Sequence, residues 1–238
     1  MAMDERESLL TSVRALLEWE RELGGVGFPA VRLETVTPAE SSVAGVPPGA
    51  PKDEDRDHRL TLLAQEAAHC TACRLHAERT KSVFARGESS AEIAFVGEGP
   101  GYHEDQQGVP FVGKAGQLLD KMIRAMGHEP DDVYICNVVK CRPPNNRTPK
   151  PDEAGTCARF LEAQLDLVRP RVIVALGRCA SENLGVVEPG ARGWRGRWGQ
   201  WRGIDVMPTY HPAFLLRSPQ MKRPVWHDLQ QVLARLAR

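Results

Sequence analysis

The chain has 238 residues, 42% of them hydrophobic, which is enough apolar material for one sizeable core with an appendage beside it. Its formal net charge of +0 argues against a strongly basic nucleic-acid binder, but residues 1–57 hold 12 of the 31 acidic and 6 of the 31 basic side chains, leaving residues 58–238 with a net charge of +6. No apolar run approaches bilayer length, and the start MAMDERES lacks the basic and then apolar order of a secretory signal, so no membrane partner and a cytoplasmic location are expected.

The 1–23 segment carries Leu9, Val13, Leu16, Leu17 and Leu23 at near-helical spacing between Glu and Arg, which predicts a short amphipathic helix that docks on the core or recruits a partner. Residues 24–57 are rich in Gly, Pro, Ser and acid without periodicity and read as a flexible linker. From His58 to Arg238 short apolar runs alternate with amphipathic segments. The runs are Glu92–Gly97, Val133–Val139, Arg171–Gly177 and Ile204–Thr209; the helical segments are Arg59–Cys73, Gly113–Met126, Lys150–Leu167, Arg178–Leu184 and Arg223–Leu236. This order predicts an α/β domain around a mainly parallel four-stranded sheet, with 190–203 (GARGWRGRWGQWRG) as a glycine-turned hairpin leading into the last strand. In such sheets ligands sit beyond the carboxyl ends of the strands. The segments found there, GEGPGYHEDQQGVPFVG, KCRPPNNRTPKP and YHPAFLLRSP, are dense in Gly, Pro, His, Asn and Arg.

Six cysteines without an export signal read as metal ligands, catalytic groups or buried thiols rather than as a disulfide framework. Cys70 and Cys73 form a C-x2-C pair, Cys141 follows the second apolar run and Cys157 lies in a helical segment. Four thiolates suit zinc or an iron-sulfur cluster, and spacing alone leaves both open. Cys136, inside an apolar run, and Cys179 read as buried thiols. A site held by the four would pin the first helix of the domain to the loop carrying Lys140, Arg142 and Arg147, basic side chains suited to a DNA backbone.

The glycines of 97-GEGPG-101 let a ligand approach the backbone closely, but neither a Walker motif nor G-x-G-x-x-G is present. Taken together, GEGPG, PFVGKAGQLL, NVVKCRPPNNRTP and HPAFLLR resemble, in order and spacing, the family 4 uracil-DNA glycosylases. The resemblance spans His58 to Arg238. It implies an α/β/α sandwich, a 4Fe-4S cluster on Cys70, Cys73, Cys141 and Cys157, and hydrolysis of the bond between uracil and its sugar, in single- or double-stranded DNA, by a monomeric enzyme that leaves an abasic site.

The resemblance also implies roles position by position. Gly97, Glu98 and Gly99 form the floor of a uracil pocket, and Phe111 stacks on the flipped base. Asn137 pairs with uracil N3–H and O4; an amide inside the apolar YICNVV invites a partner even without the resemblance. Glu104 lies near C5 of the base, or caps a helix. His211 donates to uracil O2, where charge collects as the bond breaks. Leu215 and Leu216 act as a wedge in the duplex, or as core leucines, with Arg217 on a phosphate. Gly99 stands where many relatives outside the family have a water-activating Asp or Asn, so the attacking water is held by backbone or by Glu98. Tyr102 and His103 replace acidic residues common in the family.

Two other readings compete. A relative that binds uracil-DNA covalently through an inserted histidine-containing loop is disfavoured, because RPPNNRTPKPDEAGT between Cys141 and Cys157 holds no histidine. A non-catalytic iron-sulfur DNA-binding protein would need the cysteines and basic loops but not Asn137, Phe111 and His211 together.

Overall fold

The apolar runs form strands because their alternate residues feed two separate cores. In the computed structural model, which describes residues 53–238 together with Arg21, β1 (Ala85–Gly87), β2 (Ile93–Gly97), β3 (Tyr134–Asn137), β4 (Val172–Leu176), β5 (Gly199–Trp201) and β6 (Ile204–Thr209) make one sheet of order β1-β3-β2-β4-β6-β5. The four inner strands are parallel, and the three-residue edge strands β1 and β5 run antiparallel to β3 and β6. The sheet therefore has six strands rather than four. The two additions are short edges, one of them the first arm of the expected hairpin.

Ala94, Val96, Tyr134, Cys136, Ile173 and Ala175 face one core, closed by α1 (Asp53–His69) and α4 (Pro151–Val168). Ile93, Phe95, Val133, Ile135, Val172 and Val174 face the other, closed by α3 (Lys114–Ala125) and α7 (Lys222–Leu236). Helix, sheet and helix thus stack as three layers. Three short helices follow strand ends or loops: α2 (Tyr102–Gln107), α5 (Arg178–Asn183) and α6 (Pro212–Arg217).

The first helix begins at Asp53, so the expected linker is helical over 53–57; the expected amphipathic segment, Arg21 apart, and the rest of the linker lie outside the described residues. Among the described residues no helix is long and apolar enough to cross a membrane.

Candidate active site

The carboxyl ends of β2 and β3 place Gly97 beside Asn137 as register partners. By strand parity both face the side of the sheet that holds Ile93, Phe95, Val133 and Ile135. Asn137 is 2% exposed, and its Oδ1 is buried without a hydrogen-bond partner. An orphaned buried acceptor costs about 1–3 kcal/mol, so the arrangement is poised for an incoming donor. Gly97 keeps the space in front of it open. A Cβ there would lie 2.4 Å from Asn137 Oδ1 and 2.6 Å from Phe111 Cζ.

Phe111 closes this space from the loop before α3. Its φ of 55° is left-handed, a conformation that costs a non-glycine residue energy and must be imposed from outside. Two features impose it. At Gly116 of α3 a Cβ would fall 1.8 Å from Phe111 O, so only glycine lets the helix approach this backbone. Glu104 anchors the next residues, accepting the N–H of Val112 (3.0 Å) and Gly113 (2.9 Å) on one oxygen and that of Gly101 (3.1 Å) on the other. Glu104 lines the cleft, and its carboxylate is engaged in shaping the two loops.

His211 enters from the end of β6, and its ring stacks near Phe111 with centroids 5.6 Å apart. Its Nδ1 accepts the N–H of Ala213 at 3.1 Å, which leaves the ring proton on Nε2 as a donor. Burial, with a smaller push from Arg217, lowers its pKa to about 4, so the imidazole is neutral at physiological pH. Behind it, Thr209 donates to Asp228 Oδ2 at 2.6 Å, and Arg195 binds the other oxygen at 2.5 Å. This buttress fixes the strand end from which His211 projects.

Glu98, Gly99, Glu104, Phe111, Asn137, Arg147, His211 and Arg217 line a single cleft, joined by Tyr102, Pro143, Thr148 and Phe214. Burial raises the Glu98 carboxyl above its ordinary range, opposed by a hydrogen bond with Thr148. At Gly99 a Cβ would lie 2.8 Å from Val139 Cγ2.

Three basic or apolar expectations change. Lys140 is 1% exposed and donates to Asn137 O and Gln164 Oε1, so it is withdrawn from any phosphate. Arg147 reaches the cleft wall, but its guanidinium forms a two-pronged pair with Glu153, both bonds 2.7 Å. Leu215 is 0% exposed and belongs to the core, whereas Leu216 is 46% exposed. Of the two leucines expected as a wedge, only Leu216 is exposed. Arg142 lies over the Tyr102 ring and donates to Asn146 at the rim.

Cys70, Cys73, Cys141 and Cys157 line one small cavity on the opposite side of the sheet, with His76, Lys140 and Phe160. Cations surround it: Arg79 donates to Cys141 Sγ at 3.2 Å and Arg159 to Cys70 Sγ at 3.7 Å. Such donors stabilise thiolates. Among the described residues no three His, Cys, Asp or Glu side chains are gathered to hold a single metal ion. Cys136 and Cys179 are buried outside this cavity, as their surroundings in the sequence suggest.

Several contributors escaped sequence reasoning. Gly116 is signalled only by a glycine inside an amphipathic helix. Thr148, Thr209, Asp228 and Arg195 acquire their parts from packing between distant segments.

Comparison with known proteins agrees with this geometry. The family model described as the Uracil DNA glycosylase superfamily matches residues 84–230. The Type-4 uracil-DNA glycosylase of Thermotoga maritima is 46% identical over 185 residues, covering 74% of this chain and 94% of that protein. The Type-4 uracil-DNA glycosylase of Sulfurisphaera tokodaii is 41% identical, covering 73% of this chain and 83% of that protein. The protein of the same description from Archaeoglobus fulgidus is 42% identical over 73% of this chain and 91% of its own length. With the fold, the cleft and these relatives in accord, the chain belongs to the uracil-DNA glycosylase superfamily and, within it, to the type-4 family.

Proposed function

We propose that this protein excises uracil from DNA, hydrolysing the N-glycosidic bond to release the free base and leave an abasic site. The observation that carries the reading is the buried, unpartnered Oδ1 of Asn137, facing the space that Gly97 leaves open beneath the Phe111 ring. That acceptor suits uracil N3–H, while the amide nitrogen of the same group suits O4. Cytosine offers an acceptor at N3 and a donor at the 4-position, so it leaves both ends mismatched.

Neutral His211 supplies the electrostatic part. As the bond to the sugar lengthens, negative charge moves onto the base, and Nε2–H donates to it. The interaction strengthens in the transition state, which is the condition for acceleration. The cationic sugar is balanced by the DNA's own phosphates. Glu98, which lines the cleft and hydrogen-bonds Thr148, or the backbone beside it would hold the attacking water, since Gly99 offers no carboxylate. Leu216 and Arg217 follow His211 at the cleft edge, suited to the gap left in the duplex and to a nearby phosphate.

The four cysteines would hold a 4Fe-4S cluster. Their shared cavity and its cationic donors fit such a group. The cluster supplies a brace that joins α1, the segment after β3 and α4; no step of the reaction is assigned to it. The test is incubation of the purified chain with an oligonucleotide carrying one uracil, followed by alkali, with the visible spectrum recorded beside it. Strand breakage at uracil, absent from a cytosine control, is expected. Binding without breakage would favour the non-catalytic alternative.

A further inference from the structure

Lys140 is the side chain whose place in the fold the reaction does not explain. It is 1% exposed, and the two acceptors of its ammonium are neutral: Asn137 O at 2.7 Å and Gln164 Oε1 at 2.5 Å. An apolar side chain of similar length would fill this volume without the cost of removing a charge from water. The ammonium is therefore retained for what it binds.

One of its acceptors is the peptide oxygen of Asn137 itself. The other is fixed in turn, because Gln164 donates its amide to Tyr134 Oη at 3.0 Å and to Phe84 O at 3.1 Å. Gln164 thus cannot rotate away without breaking two bonds inside the core. On its other side Lys140 lines the four-cysteine cavity, immediately precedes Cys141, and gives its backbone N–H to Cys157.

We propose that Lys140 is a positioning residue for base recognition: its ammonium locks the peptide that follows Asn137 and so ties the orientation of the carboxamide to the four-cysteine site. This rests on the reading of Asn137 as the group that meets the base. Asn137 ends β3, and only Val138 and Val139 separate it from Lys140. Val138 N–H donates to Gly97 O at 3.0 Å and Val139 N–H to Glu98 O at 3.2 Å, which holds one edge of this segment against the cleft floor. Lys140 Nζ holds the peptide from the opposite side of the sheet. A metal-site brace thereby reaches the base pocket through one side chain.

The experiment measures binding rather than turnover. Full-length wild type, Lys140→Met, Gln164→Leu and Asn137→Ala are titrated with two duplexes, one bearing uncleavable 2′-fluoro-2′-deoxyuridine and one bearing a tetrahydrofuran abasic analogue. Iron content and the visible spectrum are recorded for each. Loss of a charge-assisted buried hydrogen bond predicts that Lys140→Met keeps its iron and its abasic-duplex affinity while its preference for the uracil duplex falls roughly tenfold to a hundredfold. A preference equal to wild type in that variant overturns the proposal. If Lys140→Met does not fold or loses iron, Gln164→Leu decides: a preference lowered by roughly threefold or more supports the link, and an unchanged one overturns it. Undiminished preference in Asn137→Ala would instead defeat the reading of the base pocket, a result distinguishable from failure of the Lys140 link.

Discussion

In the proposed mechanism His211 acts in a single protonation state, the neutral imidazole. With Nδ1 occupied by the Ala213 N–H, protonating the ring would require that bond to break. The folded-state pKa of about 4 lies below the ordinary histidine value, so the unfolded chain binds the proton more readily between the two. The contribution of this residue to stability is therefore complete above the ordinary histidine range and is lost as the pH falls toward about 4. Nitrogen-resolved NMR of the imidazole should find Nε2–H and an unprotonated Nδ1 throughout the neutral range. A ring that titrates at the ordinary histidine pKa would contradict the neutral-donor mechanism. His211→Ala should slow excision by about a hundredfold or more, the usual cost of removing one donor to developing charge, as measured by single-turnover kinetics.

The pocket is shaped by elements whose own sequence is unremarkable. Lys114–Ala125 places a glycine at its third residue because the helix must pass against the Phe111 carbonyl. Gly116→Ala would push these groups apart and release Phe111 from its left-handed backbone. We expect a loss of about 1–3 kcal/mol of stability in denaturant unfolding and reduced excision; unchanged values in both would show that the close approach is unimportant. The loop at 111–113 depends likewise on Glu104. Glu104→Ala strips three backbone N–H groups of their acceptor and should lower stability by a comparable amount, about 1–3 kcal/mol, in the same measurement. The four inner strands, the four longer helices and the short α5 were legible from apolar periodicity. The edge strands Ala85–Gly87 and Gly199–Trp201 span three residues each, too short for a pattern, and Tyr102–Gln107 contains no apolar stripe from which a helix could be read.

Across the whole molecule, the parts of the site that sequence revealed are those whose residue type is costly in its local setting. Asn137 within YICNVV invited a partner, and Cys70, Cys73, Cys141 and Cys157, though spread over three segments, pointed to one shared site. Lys140 misled because a lysine beside Arg142 in a Pro-rich loop reads as solvated; only the approach of Gln164, 24 residues later, shows that it is internal. Leu215 and Leu216 differ by about 100° around a helix, so one faces the core and the next faces solvent, which the pair LL does not disclose. Arg147 is similar: its charge is taken up by Glu153 at the start of the following helix.

These arrangements converge on the amide at the end of β3. The most direct measurement is single-turnover release of free uracil from a defined oligonucleotide by wild type and Asn137→Ala, with folding and iron content verified in both. The wild type should release uracil and leave an alkali-sensitive site. The variant should be slower by about a hundredfold or more, as expected when a buried recognition group is removed from the transition state. Equal rates in the two proteins would show that this pocket does not read the base through Asn137.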